Sequence, residues 1–338
     1  GWIKRRHNWD VTREEITYVN GVVRGYAYAL NFFTKPGDTI VIQQPVYHPF
    51  RNVAVGNHRR VVSNDLIKNG DSYSMDLPGL EHIFATENPK LMVVCNPHNP
   101  IGICWDKESL IEVARLAKKY NVIIVSDEIH CDLGIFGHKH TPFASVSEDA
   151  AAVSISFGAP SKTFNIPGVS SSWCVIKNPE LRKDFFHWLQ VNEFSVPTWF
   201  ATAATEAAYN NGEEWLDELI PYIENNILAV EEYCKCNIYN YKHAKNDSEN
   251  LCSFLFTSFS FCFLALSSSL AFFAAALPMA IAGYFSAVYQ GRVAASAVSM
   301  IAKDSSQTAK GMTLSALVET YAVLALLVSI LAVFNINI

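Results

Sequence analysis

The chain of 338 residues carries 26 basic and 32 acidic side chains, a net charge of −6 and 50% hydrophobic residues. With no basic face and no interleaved arginine and aromatic stripe, that balance excludes nucleic acid as a partner. Charge is unevenly spread: beyond residue 250 only Arg292, Lys303, Asp304, Lys310 and Glu319 are charged, a density proper to membrane segments, whereas the preceding part has that of an ordinary water-exposed domain. Of the eight cysteines, Cys234 and Cys236 form a C-x-C pair. No second pair or histidine cluster completes a zinc site, so no metal is expected and the thiols are expected to be reduced.

The chain opens on Gly1-Trp2-Ile3-Lys4-Arg5-Arg6, inside a helical pattern, with neither an initiator methionine nor an apolar leader, which predicts a missing beginning. Asn20-Gly21-Val22-Val23 reads as a glycine turn opening a helix towards Phe33, whose free amides and positive dipole end suit a phosphate. After the turn Pro36-Gly37-Asp38 comes a strand, Thr39-Ile40-Val41-Ile42. Pro45-Val46-Tyr47-His48-Pro49-Phe50 then holds a tyrosine between two prolines, fit either to stack on a flat ring or to pack within its loop. Leu91-Met92-Val93-Val94 is a second strand and leads into Cys95-Asn96-Pro97-His98-Asn99-Pro100-Ile101-Gly102. Residues 107–120 form a helix with Leu110, Val113, Ala114 and Ala117 on one face.

Val122-Ile123-Ile124-Val125 runs into Ser126-Asp127-Glu128-Ile129-His130. An aspartate at a buried strand exit is costly without a cationic partner, and a protonated pyridine nitrogen would be one. Val153-Ser154-Ile155-Ser156 precedes Ala159-Pro160-Ser161-Lys162-Thr163-Phe164-Asn165, where Lys162 sits in a turn of polar and small residues, a setting that can desolvate its amine for nucleophilic use. Trp173-Cys174-Val175-Ile176 is a further strand, and residues 215–236 a long helix. Continuous apolar strands alternating with helices predict an α/β domain with a mostly parallel sheet covered on both faces, and chemistry at the strand exits.

The order glycine turn, aromatic loop, N-P-x-G, D-E-x-H and S-K-T-x-N resembles the fold-type I pyridoxal-phosphate enzymes of the aminotransferase class I/II superfamily, and within them the PatB/MalY-type cystathionine β-lyase (C–S lyase) group. The resemblance covers residues 1–238. It implies pyridoxal 5'-phosphate as cofactor, a small amino-acid substrate and a homodimer formed through this domain. It also implies that Lys162 carries the cofactor and moves the substrate's α-proton, that Asp127 faces the pyridine nitrogen, and that Tyr47 stacks on the ring. Asn99 and His130 would hydrogen-bond the 3′-oxygen, and the phosphate would rest on Gly21, Val22 and Val23, helped by Ser161. The family's preceding stretch, which supplies a tyrosine across the dimer, and its C-terminal small domain, which holds the arginine for the substrate carboxylate, are expected to be missing, so turnover is expected to be impaired. A class I/II aminotransferase is the alternative activity.

Residues 239–250 read as a polar linker. Leu251 to Gln290 carries no charge, making 251–270 a candidate membrane span and 271–338 a membrane hairpin with Lys303 to Lys310 as its polar turn. Glu319 falls inside the last span, where a carboxylate costs about 2.5–3.5 kcal/mol and marks a functional site. Residues 274–335 resemble the second hairpin of the proteolipid (K or c) subunit of V/A-type rotary ATPases, which implies Glu319 as the ion-carrying carboxylate, Gln290 as its neighbour, rotor-ring partners, and a membrane location with the first domain on the cytoplasmic side. A rotor-ring subunit with an appendage, and a non-functional fusion of two partial genes, are the other readings of the whole chain.

Overall fold

The computed structural model describes residues 1–70 and 72–237. The expected linker 239–250, the candidate span 251–270 and the hairpin 271–338, with Gln290 and Glu319, lie outside the described residues. Among those described, no helix is long and apolar enough to cross a membrane.

The chain begins with α1 (Trp2–His7), β1 (Ile16–Val19), α2 (Val22–Phe33), β2 (Thr39–Ile42), α3 (Pro49–Gly56) and β3 (Arg60–Ser63). A small antiparallel pair, β4 (Ile67–Asn69) and β5 (Ser72–Ser74), precedes α4 (Leu77–Glu87), β6 (Leu91–Cys95), α5 (Lys107–Tyr120) and β7 (Ile123–Asp127). Then come α6 (Glu148–Val153), β8 (Ser154–Gly158), the single turn α7 (Pro160–Thr163), β9 (Ser172–Val175), α8 (Pro179–Val191), α9 (Trp199–Asn211) and α10 (Glu213–Asn237).

Seven strands make one sheet in the order β1-β9-β8-β7-β6-β2-β3. From β3 to β8 neighbours run parallel, while β9 runs against both β8 and β1. The expected mostly parallel α/β sheet is therefore present, with one inverted strand. β2, β6 and β8 are buried along their whole length, which is why their sequences show no polar alternation. Pleating sorts their side chains into two cores. Ile40, Ile42, Leu91, Val93, Val125, Ile155 and Phe157 meet α2 and α8 through Tyr26, Leu30, Phe185 and Leu189. Val41, Met92, Val94 and Ile124 meet α4 and α5 through Leu80, Phe84, Leu110 and Val113.

Two helices show how local chemistry sets these layers. In α5 the Asp106 carboxylate accepts from the Ser109 amide at 2.7 Å and Asn121 closes the other end in the left-handed conformation, a capped helix at both ends. In α2, Gly25 lies so close to β8 that a Cβ there would stand 2.6 Å from the Phe157 ring. This approach seats the start of α2 against the sheet.

The differences from expectation are local. β1, β3 and the β4/β5 pair are additional. Val153 ends α6 instead of starting a strand, the last strand is Ser172–Val175, and Lys162 lies in the one-turn helix α7. The inversion of β9 matters most: Gly158 pairs with Trp173 and Val19 with Ser172, so β9 enters the sheet on the edge where β1, β6, β7 and β8 leave it.

Candidate active site

That edge holds a pocket of about 260 Å³. Gly21, Val22 and Val23 line it from the start of α2, Tyr47 and Asn99 from two loops, Asp127 and His130 from the end of β7, and Ser161 and Lys162 from α7. Every residue expected at the cofactor site is thus brought to one place, from five separate segments. Gly21 adopts φ 138°, a conformation open to glycine, and this turn frees the first amides of α2. The Tyr47 amide donates to the Asn99 carbonyl at 3.0 Å, and His98 Nε2 lies 2.9 Å from the Pro45 carbonyl oxygen. These contacts bind the two proline-containing loops to each other and set Tyr47, 37% exposed, at the pocket mouth.

Sequence reasoning missed Arg24, Ser170, Ser171 and Ser172, which also line the pocket. Arg24 brings a cation to the first turn of α2, and its Nη1 donates to the Asn20 carbonyl at 3.1 Å. The serines arrive with the inverted strand, and the one local signal for them is their run of three hydroxyls.

Burial dominates the electrostatics. Asp127 is raised to about 7 by desolvation, offset by the Ile129 amide, raised further by Glu128 and eased by the Lys162 charge. His130 is lowered to about 4, by desolvation first and Lys162 second, so near neutral pH it is an uncharged imidazole with one donor and one acceptor. A carboxylate so placed calls for a cation, and a neutral imidazole suits an anionic oxygen.

Behind the pocket lie two buried carboxylates. Glu128 Oε1 accepts from the Ser126 and Ser156 hydroxyls at 2.9 and 3.0 Å and from the Phe143 amide at 3.1 Å, with Oε2 at 3.1 Å from His140 Nε2. Asp132 accepts from Trp2 Nε1 at 3.1 and 3.2 Å and from Thr163 Oγ1 at 2.9 Å, with His7 Nε2 at 2.7 Å. The His7 and His140 rings meet edge to face, 5.3 Å apart. His7, Cys131 and Asp132 also bring a ligand atom each within 4.8 Å of one another. His7 and Asp132 are already engaged with each other, which makes this a hydrogen-bonded cluster.

The fold and the pocket together define a pyridoxal-phosphate transferase-like α/β domain. The sequence profile of "Aminotransferase class I and II" matches residues 1–251, and the chain belongs to that family. It is 42% identical over 251 residues to cystathionine beta-lyase PatB of Bacillus subtilis (strain 168), covering 74% of this chain and 65% of the relative. It is 30% identical over 230 residues to protein MalY of Escherichia coli (strain K12), covering 68% and 58%. The chain thus spans 65% and 58% of the length of these two curated relatives, less than two thirds of each. Among solved structures, cystalysin of Treponema denticola with its pyridoxal 5'-phosphate superposes with a TM-score of 0.68 at 36% identity, covering 70% of this chain and 60% of that one. The PLP-bound C–S lyase of Staphylococcus hominis gives 0.65 at 31%, covering 69% and 59%. Separately, the sequence profile of the ATP synthase C subunit matches residues 273–332.

Proposed function

We propose that residues 1–238 bind pyridoxal 5'-phosphate and act as a carbon–sulfur β-lyase on cystathionine or cysteine S-conjugates, giving pyruvate, ammonia and a thiol. The observation that carries this reading is the meeting of Lys162 and the buried Asp127 in one pocket with seven other residues of the expected set. The relatives named for this activity and the PLP-bound neighbours support it, and they favour elimination over transamination.

Bound in this pocket, pyridoxal phosphate would supply an electron sink for the substrate's α-carbanion. Lys162 would hold it through its amine, and once the substrate's amine has displaced that linkage the freed lysine amine would take the α-proton, a positioned acid–base step worth about 10²–10⁴-fold. Loss of that proton would expel the sulfur from the β-carbon, and the same amine could hand its proton to the departing thiolate. Water would then convert the remaining three-carbon fragment into pyruvate and ammonia. Asp127 would set a negative charge by the ring nitrogen, and the neutral His130 together with Asn99 would hydrogen-bond the 3′-oxygen. The α2 amides at Gly21–Val23, the Ser161 hydroxyl and Arg24 would receive the phosphate. Tyr47 would stack on the ring.

A homodimer fits this domain. Val191, Val196, Trp199 and Phe200 stand 62, 59, 82 and 81% exposed around the start of α9, an apolar group of the kind that interfaces cover. The ATP synthase profile match favours a second role for the tail: residues 271–338 as a membrane hairpin, Glu319 as ion-binding carboxylate with Gln290 beside it, rotor-ring partners, and the first domain on the cytoplasmic side. The deciding experiment is release of pyruvate from cystathionine by the chain supplied with pyridoxal phosphate. Activity abolished in Lys162→Ala supports the reading, and equal release from that variant and the parent chain overturns it. Reaction of Glu319 with a carboxyl-directed carbodiimide, suppressed by millimolar Na⁺, tests the tail.

A further inference from the structure

We propose that Asp132 is a positioning residue for Lys162, acting through the Thr163 hydroxyl. The proposal rests on the reading of Lys162 as the cofactor-bearing lysine.

α7 is one turn of four residues, far below the length at which a helix holds itself in water. Its internal closure consists of the Phe164 amide on the Pro160 carbonyl at 2.9 Å and the Ile166 amide on the Ser161 carbonyl at 3.0 Å. Those bonds shape the turn but do not place it against the sheet. The Phe164 ring packs on Trp2, Tyr209 and Trp215, and Thr163 fixes the roll of the turn by donating to Asp132 Oδ2 at 2.9 Å. Its side chain is fully buried, so water cannot take over the bond once the hydroxyl is gone. Because successive helix residues differ by roughly 100° about the axis, a roll of this turn at Thr163 swings Lys162 across the pocket.

Asp132 is suited to be the fixed post. Its side chain is 1% exposed, and Trp2 and His7 of α1 hold the same carboxylate from the far side. Those two contacts persist whether or not the Thr163 hydroxyl is present, so its removal frees the roll of α7 without loosening α1. Asp127 has its own support in the neighbouring cluster, where Ser126 and Ser156 tie the ends of β7 and β8 to Glu128. Lys162 and Asp127 are each followed in the chain by a residue that reaches into this buried polar floor, and so are held to one frame from behind.

The test is capture of pyridoxal phosphate by the full chain. Borohydride reduction at timed intervals, with mass spectrometry of the peptide bearing Lys162, reads the rate at that residue. Thr163→Val keeps the shape and removes the hydroxyl, and should slow labelling about tenfold, the size expected for losing a hydrogen bond to a buried charge. Thr163→Ser, which restores the hydroxyl, should return the rate to within about twofold. Hydrogen exchange at the Phe164 amide should quicken in Thr163→Val while β7 and β8 stay protected, a reading open even if capture is weak. Wild-type labelling and exchange in Thr163→Val, with Lys162→Ala blank, overturns the positioning role and leaves the cofactor reading standing. Undiminished labelling of that peptide region in Lys162→Ala overturns the cofactor reading, and the positioning role with it.

Discussion

The backbone amide of Ile129 donates to Asp127 Oδ1 at 3.0 Å, yet burial still lifts that carboxyl to about 7. A folded-state value raised above the ordinary 3.8 gives a contribution fully present below pH 3.8 and lost as pH rises through about 7. Cofactor-free Asp127→Asn should therefore match the parent chain near pH 3.5 and exceed it at pH 8, by on the order of a few kcal/mol. Thermal melts at the two pH values check this. With cofactor supplied the order should reverse for activity, Asp127→Asn losing about 10²-fold or more in turnover because the fixed charge is gone.

Asp132 has the opposite sign. Burial raises it, but the bonds from His7, Thr163 and Trp2 outweigh that and hold it below 3.8. Its stabilisation is present above pH 3.8 and is lost as pH falls through the lowered value. Asp132→Asn should be less stable than the parent by about 1–3 kcal/mol at pH 7, and the gap should narrow in the acid limb of a urea-midpoint series.

Gly21 bears its φ of 138° at the turn that frees the α2 amides. Gly21→Ala should weaken pyridoxal phosphate binding about tenfold, and the strain it puts into that turn, about 1–3 kcal/mol, should lower the urea midpoint of the body accordingly. Fluorescence titration measures the first and circular dichroism the second.

Gly25 tests packing alone. In Gly25→Ala the new methyl meets Phe157 ring atoms at 2.6 and 2.8 Å, and that ring is fully buried. Destabilisation of about 1–3 kcal/mol is expected from such overpacking, read as a lower urea midpoint with an unchanged slope.

The ordered motifs announced the pocket because each combines an apolar strand with residues that are unusual at its exit: Asp127 after Val125, Lys162 beyond Ile155, Gly21 before α2. Edge strands were harder to read. β1 and β3 are short and only partly buried, so they lack the continuous apolar run that marked β2 and β6. Ser170 to Ser172 escaped because their place depends on β9 running backwards, and strand direction leaves no local trace. Arg24, exposed on a helix, looks like any surface cation until the pocket beside it is seen. The Asp132 cluster joins residues 31 to 130 positions apart, a relation that no window of sequence contains.

The clasp between α1 and the rest of the domain also dictates an order of events during synthesis. Trp2 finds Asp132 across 130 positions, Arg6 finds Asp217 across 211, and the one sheet neighbour of β1 among the described residues is β9. Helix α1 therefore leaves the ribosome well before the residues that it contacts. At elongation rates of about 5–20 residues per second, the Arg6–Asp217 separation corresponds to roughly 10–40 s. Throughout that interval the parallel strands from β2 to β8 can assemble from the middle of the sheet, while the Trp2 indole waits for an acceptor that is made late.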